Sequence, residues 1–418
     1  SLMSLKLRSK NDWGRLDMTS EWHEVPLREL VGYISKGIAP SYAEEESETT
    51  IRVLNQKCNR NFQISYGDSR LHDTLKKKVP PERYVKPDDI LINSTGAGTA
   101  GRIAQIEDVP SATTIDGHMI LIRSNGKVTQ KFLGYALKAH QWEVLQLDEG
   151  STGQTELNRE RLLDEIMINY PVSFDEQNAI VGTLESIDRK LIVNEQLNDN
   201  LEQQAQSYFQ ELFVDNADPE WTTGTISDLG TVVGGSTPSK AKPEYYTESG
   251  IAWITPKDLS INKSKFVSHG ENDITELGLR NSSASIMPEG TVLFSSRAPI
   301  GYIAIAAGEV TTNQGFKSVV PKPEIGTPFV YFFLKNTLPV IEGMASGSTF
   351  KEVSGSTMKN VPAVIPDAET LAKFSDFCAP IFAQQRILEE QNQSLATLRD
   401  NLLPKLMSGE IDVSAVQL

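Results

Sequence analysis

The sequence predicts an α+β protein in which two pseudo-repeated mixed α/β domains are joined by two long antiparallel helices that form a coiled coil. Three observations predict this class. A large repeat runs through the chain, each copy has the pattern of short strands and turns, and each copy ends in a helical heptad pattern. At 418 residues the chain also exceeds the size at which a single hydrophobic core stops growing.

The second copy of the repeat follows the first at an offset of 197 to 199 residues. The matching segments are Trp22 and Trp221, Thr114-Ile-Asp-Gly117 and Thr312-Asn-Gln-Gly315, Phe132-Leu-Gly-Tyr-Ala-Leu-Lys138 and Phe329-Val-Tyr-Phe-Phe-Leu-Lys335, and the Gly-Ser-Thr runs at 150–152 and 347–349. A unit of this size is a duplicated domain and not a solenoid repeat. Duplicated domains can hold two halves of one object through equivalent surfaces.

Each copy is interrupted by Gly, Pro, Ser and Asn between short apolar runs, which is the pattern of strands joined by turns and long loops. The clearest predicted strands lie at 89–93, 118–123, 251–255 and 301–306. The run from Phe132 to Leu137 predicts a helix within the first copy.

The segments after each copy have apolar residues in steps of four and three, which predicts helices that pack lengthwise. The residues expected to pair are Leu191, Asn198 and Leu201 in the first helix and Leu388, Asn392 and Leu395 in the second. Arg399 interrupts the second seam, and Pro380 either starts or kinks that helix. We expect Cys378, which stands where Leu184 stands in the first helix, to be a small buried apolar residue.

Asn198 and Asn392 occupy equivalent seam positions. Because a polar seam residue sacrifices stability to fix register, we expect these asparagines to help set an antiparallel alignment. The alternative is that each is tolerated at a frayed or kinked section. The chain is accordingly divided into an N-terminal segment at 1–18, a first domain at 19–171, a central helical segment at 172–216, a second domain at 217–366 and a C-terminal helical segment at 367–418.

The net charge of −15 is concentrated in the helical segments. Residues 175–216 have 2 basic against 9 acidic residues, and 367–418 have 4 against 8, whereas the two domains are nearly neutral with local basic clusters. Overall acidity argues against loose, charge-driven binding of nucleic acid, but not against a local groove that binds it. The bland explanation of a basic cluster is a solvated face.

Other classes of protein find little support in the sequence. We expect no membrane span, because the longest apolar stretch, 329–334, is far shorter than a membrane helix. Two widely separated cysteines and the lack of a signal peptide favour the cytoplasm. The chain has neither a phosphate-binding Gly-x-x-x-x-Gly-Lys-Ser/Thr loop nor an Asn-Pro-Pro-Tyr adenine pocket, and its five histidines are scattered. We therefore expect no catalytic centre, no metal and no cofactor in this chain.

An ordered series of motifs in the second copy identifies a family resemblance. The series is Gly234-Gly-Ser-Thr-Pro-Ser239, Ile251-Ala-Trp-Ile-Thr-Pro-Lys-Asp-Leu259, Pro288-Glu-Gly-Thr-Val-Leu-Phe-Ser-Ser-Arg-Ala-Pro-Ile-Gly-Tyr302, Thr312-Asn-Gln-Gly-Phe-Lys317 and Gly347-Ser-Thr-Phe-Lys-Glu352. It resembles the specificity subunit of type I restriction-modification enzymes, and the likeness extends from about Trp22 to Ile411.

The resemblance implies that each copy is a target recognition domain that reads one half of a split double-stranded DNA site. The helices would set the spacer and dock two modification (methyltransferase) subunits, which bring S-adenosylmethionine. Restriction subunits would bring ATP and Mg. The first copy departs from the second: Asn93-Ser-Thr-Gly-Ala-Gly-Thr-Ala-Gly101 replaces Phe294-Ser-Ser-Arg-Ala-Pro-Ile-Gly301. Two different loops imply two different half-sites and an asymmetric target.

Side-chain chemistry suggests which loop residues contact DNA, because Arg and Lys suit guanine edges, Asn and Gln suit adenine, and Ser and Thr suit phosphate. The candidates in the first copy are Lys36, Ser41, Asn93, Ser94, Thr95, Arg102 and Gln154. The candidates in the second copy are Ser236, Thr237, Lys240, Ser295, Ser296, Arg297, Asn313, Gln314, Lys317 and Lys351. For each, a role as a turn residue or loop brace is the alternative. Arg297 is the leading candidate, since we expect it to have few local structural duties.

Two other functions remain open at this point. The chain could be a pseudo-symmetric coiled-coil scaffold that organises protein partners without DNA. It could also be the recognition half of a nuclease whose catalytic half is a separate chain.

Overall fold

The computed structural model describes residues 21–96, 98–149, 156–297, 299–347, 351–413 and 416, with the side chains of 148 and 149 excepted. The chain divides into two compact units. The first contains the described residues up to Lys190 and from Leu395 onward, and the second contains Leu191–Ser394. Each unit holds one copy of the repeat and part of both long helices.

The first domain contains fourteen strands and three α-helices among its described residues. The strands are β1 (Trp22–Pro26), β2 (Val31–Lys36), β3 (Tyr42–Ala43), β4 (Thr50–Leu54), β5 (Asn59–Arg60), β6 (Gln63–Ile64), β7 (Arg70–Asp73), β8 (Ile90–Asn93), β9 (Ile103–Gln105), β10 (Thr113–Ile115), β11 (Met119–Ser124), β12 (Asp148–Glu149), β13 (Glu156–Leu157) and β14 (Met167–Pro171). The helices are α1 (Gln130–Ala139), α2 (Gln141–Leu145) and α3 (Arg159–Glu165).

The long helix α4 (Phe174–Gln210) connects this domain to the second, and one turn of π-helix, Glu211–Asp215, extends it. The strands of the second domain are β15 (Thr222–Thr225), β16 (Gly230–Gly234), β17 (Tyr246–Thr247), β18 (Ile251–Ile254), β19 (Phe266–Val267), β20 (Asn272–Ile274), β21 (Val292–Ser296), β22 (Ile300–Ala306), β23 (Thr311–Thr312), β24 (Lys317–Pro321) and β25 (Pro362–Ile365). Its helices are α5 (Ile226–Leu229), α6 (Pro256–Ile261), α7 (Glu276–Arg280), α8 (Thr327–Met344) and α9 (Gly355–Lys359), and α10 (Ala368–Met407) follows.

The sheets confirm the repeat. The first domain has the strand orders β2-β11-β8-β9 and β10-β4-β7-β3, and the second has β16-β24-β21-β22-β19 and β17-β20-β18-β23. The antiparallel series β2-β11-β8-β9 matches β16-β24-β21-β22 in order, and the parallel pair β4 with β10 corresponds to the parallel pair β18 with β23. The second domain adds β19 at one edge, whereas the first adds the hairpin β5-β6. The predicted fold class, α+β with duplicated domains and long antiparallel helices, is confirmed.

A hydrogen bond explains why each copy begins with tryptophan. Trp22 Nε1 donates to the Glu176 carboxylate at the start of α4, over 3.2 Å, and Trp221 Nε1 donates to Asp367 just before α10, over 2.9 Å. Hydrogen bonds from Thr370 and from Trp221 lower the pKa of Asp367 to about 2. Each tryptophan therefore fixes the first turn of the helix that leaves its own domain.

Within the second unit, α4 and α10 run antiparallel. Asn194 Nδ2 donates to Asn392 Oδ1 at 2.8 Å, Asn198 Nδ2 donates to Glu389 Oε1 at 3.4 Å, and Gln385 Nε2 donates to the Asn198 carbonyl at 3.3 Å. Residue numbers rise along one helix as they fall along the other. Within the first unit, the guanidinium of Arg399 on α10 pairs with Asp188 on α4 at 3.1 Å, so the residue that interrupts the apolar seam has a charged partner.

The two seam asparagines do not contact each other as an equivalent pair. Asn392 binds Asn194 and the carbonyl of Leu191, whereas Asn198 binds Glu389 and Gln385. In this antiparallel register Asn194 faces Asn392, so Asn198 lies about one helical turn further along α4 and faces Glu389.

Among the other residues expected to pair, Leu388 is buried, while Leu191, Leu201 and Leu395 are half-buried. Pro380 does not start α10, because that helix begins at Ala368. Cys378 is fully buried, and burial raises the pKa of its thiol to about 12.

An ion pair is buried where the second domain packs on its helices. Lys265 is only 5% exposed, and its ammonium group pairs with Glu202 on α4 and donates to Gln385 Oε1 on α10 at 2.7 Å. The same ammonium lies 3.9 Å from the ring centre of Phe382. Glu202 also accepts from Lys335 at 2.6 Å. Although burial opposes it, the two lysines lower the pKa of Glu202, so the carboxylate stays charged.

Removing one partner of this pair should destabilise the second unit. Glu202→Leu leaves the Lys265 charge buried without its counter-charge, which costs about 3–5 kcal/mol of unfolding free energy. Adding Lys265→Met should recover most of that loss, because an apolar replacement of both partners is often neutral. The measurement is the midpoint of urea unfolding. Asp199→Asn, at an exposed position of the same helix, is the control and should change stability by less than about 0.5 kcal/mol. A double variant no more stable than Glu202→Leu would contradict this account.

Candidate nucleic-acid interface

The two domains build their loop clusters on the same backbone frame. Gly37 follows β2 and packs so closely on the segment 114–117 that a Cβ would lie 2.1 Å from the Asp116 carbonyl oxygen. Gly235, after β16, packs on the turn 312–315, where a Cβ would lie 1.9 Å from the Asn313 carbonyl oxygen. In both copies the N–H of the next residue donates to the same segment. Ile38 donates to the Ile115 carbonyl and Ser236 donates to the Thr312 carbonyl, each at 2.9 Å. Only glycine fits where two backbones approach this closely.

In the second domain, five of the ten candidates converge on one open cleft of about 470 Å³. They are Thr237, Lys240, Arg297, Asn313 and Gln314. The aromatic ring of Trp253 and the charged pair Lys257 and Glu271 also line this cleft. The cleft thus combines long cationic donors, three side-chain amides including Asn272, and an aromatic ring, which are groups that contact base edges and phosphates.

The cleft's polar residues are held by local contacts. The Arg297 guanidinium pairs with Glu352 at 3.3 Å, contrary to our expectation that Arg297 has few local duties. Glu352 also lies 3.7 Å from the Lys317 ammonium. Burial lowers the pKa of Lys317, and Glu352 opposes that shift. Thr237 donates to the Gln314 side chain, and Asn313 Oδ1 accepts from the N–H of Gly315 at 2.8 Å.

The remaining candidates of the second domain lie at different depths. Ser295 and Ser296 are fully buried and donate to the carbonyls of Pro299 and Gly315, at 2.8 and 3.1 Å. Each of these buried hydroxyls already donates its one hydrogen inside the domain, so the two serines brace the loop from beneath. Ser236 is half-buried and accepts an N–H bond from Ser283, while Lys351 is exposed.

In the first domain, three candidates reach the surface. Lys36, at the end of β2, pairs with Glu156. The Thr95 hydroxyl lies 2.8 Å from Nδ1 of His118, which is exposed, and Arg102 donates to the Gly98 carbonyl at 3.1 Å. The different side chains on an equivalent frame agree with the expectation of two different surfaces.

The other candidates of the first domain are structural or lie elsewhere. Asn93 is fully buried, donates to the Gln56 carbonyl and accepts from Asn59. Ser94 is fully buried as well, and its N–H donates to the His118 carbonyl at 2.8 Å. Ser41 is half-buried, with its N–H on His72 in the sheet that contains β3. Gln154 lies outside the described residues, and so do the Ser-Thr pairs 151–152 and 348–349 of the two Gly-Ser-Thr runs.

Sequence reasoning did not select the carboxylates Glu156 and Glu352, although each follows a Gly-Ser-Thr run at a similar distance. They were missed because only cationic, amide and hydroxyl side chains were considered as DNA contacts. The signal that could have identified them is the recurrence of a glutamate at this point of both copies. Trp253 was missed for another reason: its ring is largely buried and its Nε1 donates to the Ser236 carbonyl, so only packing places it at the cleft.

Two further features are absent from the described part of the chain. There, no group of three or more His, Cys, Asp or Glu residues has the arrangement of a metal site. Among the same residues, no helix has the length and apolar character needed to cross a membrane.

The family of the chain follows from a comparison with family models. The model for the type I restriction modification DNA specificity domain matches twice, over residues 19–203 and 219–398. Together these matches cover most of the chain, and the chain belongs to this family. The two matches coincide with the two copies of the repeat, each with the following helix.

Individual relatives agree. The chain is 39% identical over 191 residues to the type I restriction enzyme MjaIX specificity subunit of Methanocaldococcus jannaschii, covering 44% of each chain. It is 27% identical over 194 residues to the HindI specificity subunit of Haemophilus influenzae, covering 46% of this chain and 42% of the relative. These alignments therefore span less than half the length of either relative. The crystal structure of a type I restriction-modification S subunit from M. genitalium shares the fold, with a TM-score of 0.58 and 18% identity over 94% of this chain and 98% of that one.

Arg297 provides the most direct test of the cleft. If its guanidinium reads a guanine edge, Arg297→Ala should weaken binding to a target duplex by about 1–3 kcal/mol and leave random DNA almost unaffected. Equilibrium binding to both duplexes measures the difference. The control is Arg280→Ala, because Arg280 is a highly exposed arginine of the same domain that also pairs with a glutamate. Equal loss on target and random DNA would instead make Arg297 a phosphate contact.

Proposed function

We propose that this chain is the sequence-specific DNA-recognition subunit of a type I restriction-modification complex. Each domain reads one half of a bipartite, asymmetric double-stranded DNA site. The subunit acts in the cytoplasm and contributes recognition without a catalytic centre of its own.

One observation supports the bipartite reading most strongly. The chain matches the DNA specificity domain twice, and both copies present their loops from the same frame at Gly37 and Gly235. The side chains on that frame differ. The Ser94 carbonyl accepts from the N–H of Leu157, and the Ser296 carbonyl accepts from the N–H of Val353, so the two serines are equivalent. The residue after each serine is Thr95 in the first copy and Arg297 in the second. Because base edges are read by side chains, different side chains on one frame select different half-sites.

The helices α4 and α10 set the spacer and dock two modification subunits. S-adenosylmethionine is held by those subunits, and ATP and Mg by restriction subunits. The acidic helices support this division, because like charge keeps DNA phosphate away from them and leaves DNA to the nearly neutral domains.

The scaffold without DNA is less well supported. The relatives that match are named specificity subunits of restriction enzymes, and a cleft that combines Arg297 with Asn313 and Gln314 suits base edges better than an apolar protein partner.

The proposal predicts a methylation pattern. When the chain is co-expressed with its modification subunit, long-read sequencing should find methylated adenines within a split, asymmetric motif of fixed spacer. Replacing residues 219–366 by the second domain of another family member should change one half of the motif and leave the other half and the spacer unchanged. The independence follows from the separate sheets and cores of the two domains.

A soluble complex with an active methyltransferase that methylates no defined motif would contradict the proposal. Alteration of both half-sites by the single-domain replacement would contradict the bipartite reading. In the control, the chain's own second domain is inserted through the same two junctions, and this protein should reproduce the parent motif.

A further inference from the structure

Glu156 and Glu352 hold equivalent places in the two domains. Each precedes a buried apolar residue whose N–H donates to the loop that follows β8 or β21, called here the recognition loop. Leu157 donates to the Ser94 carbonyl at 2.8 Å, and Val353 donates to the Ser296 carbonyl at 3.0 Å. The backbone pairings of the two residues are also equivalent: Glu156 pairs with Glu149, and Glu352 pairs with Ser346, which lies one repeat offset of 197 residues after Glu149. A turn brace would require only the backbone bond, so the recurrence of an acidic side chain needs a separate explanation.

The cations that face these carboxylates do not occupy equivalent positions. Glu156 pairs with Lys36 at the end of β2. Glu352 pairs with Arg297, which follows β21, and lies near Lys317 at the start of β24. The position of the carboxylate is thus constant, while the strand that supplies the cation changes between domains.

We infer that Glu156 and Glu352 restrain the recognition cations of the DNA-reading function proposed above, on which this inference rests. Each carboxylate holds a recognition cation in the absence of a target base and withholds it from the phosphate backbone. The cation moves to a base edge only when the correct half-site offers acceptors that replace the carboxylate.

The strengths of the competing contacts allow this exchange. The Arg297 and Glu352 side chains are 39% and 37% exposed, and a pair exposed to this degree contributes at most about 5-fold to an equilibrium. A bidentate contact from arginine to the correct base contributes about 5- to 150-fold. A single phosphate contact offers no such geometric advantage, so the carboxylate competes well with phosphate and poorly with the target base.

The test compares Glu352→Gln and Glu156→Gln with the parent chain, each in complex with the modification subunits. Affinity for the target duplex and for a random duplex is measured over a range of salt concentrations. Glutamine has nearly the same shape and removes only the charge. We expect each variant to bind random DNA about 2- to 5-fold more tightly, with the slope of log affinity against log salt steeper by about one. Target affinity should rise by a similar factor, because the cation no longer has to leave a carboxylate to reach the base, while the methylated motif stays the same.

Two control substitutions make the same charge change away from the loops. Glu276→Gln neutralises a carboxylate that pairs with Arg280 in the second domain, and Glu165→Gln neutralises one that pairs with Arg161 in the first. Random-DNA affinity that rises equally in the controls would reflect net charge alone and would overturn the inference.

The remaining outcomes separate the inference from the proposed function. If the parent complex does not distinguish target from random DNA, the proposed function itself fails. If the parent distinguishes them and Glu352→Gln weakens target binding alone, Glu352 reads a base directly and the restraint is wrong. If target and random affinity are both unchanged and only the melting temperature falls, the glutamates are structural.

Discussion

The close approach of Gly37 and Gly235 to the turns beneath them is the constraint on which both candidate surfaces depend. Because the two backbones are in contact, the chain after β2 or β16 is confined to one path over the segment beneath it. The N–H of the next residue then donates to that segment. The path is independent of the side chains that project from the neighbouring loops. Duplicated domains can therefore keep one frame and differ in what they contact, which is the physical condition for two half-sites in one chain.

Depth divides the polar loop residues into two groups. Asn93, Ser94, Ser295 and Ser296 are fully buried and bind backbone carbonyls or neighbouring side chains, so they hold the loops in shape. Lys240, Thr237, Gln314 and Arg297 line an open cleft. Charge is compensated there as well, because Glu352 lies against two cations. A nearly neutral surface with weakly held cations suits a protein that must reject most of the DNA it meets, since uncompensated cations bind phosphate of any sequence.

The helices combine apolar packing with buried polar contacts. In the second unit, Lys265, Glu202 and Gln385 form a buried charged cluster among aromatic rings, and Asn194 bonds to Asn392 nearby. Apolar residues of equal volume would pack at least as favourably. Such contacts define one alignment, because any shift in register would leave buried polar groups without partners. We interpret the polar seam as a device that fixes how the domain sits on its helix pair.

The sequence by itself determined the duplicated architecture, the strands near 90, 120, 252 and 302, the two long helices and the family. Periodicity and repeated motifs are local properties that a single chain displays in order. Tertiary structure alone decided which polar residues reach the surface, since Ser94 and Thr95 are neighbours in sequence and only one is fully buried. It also decided that Asn392 meets Asn194, and that Arg297 is paired, because those partners lie far apart along the chain. Partner choice depends on where strands and helices meet in space, and local sequence patterns contain no information on that.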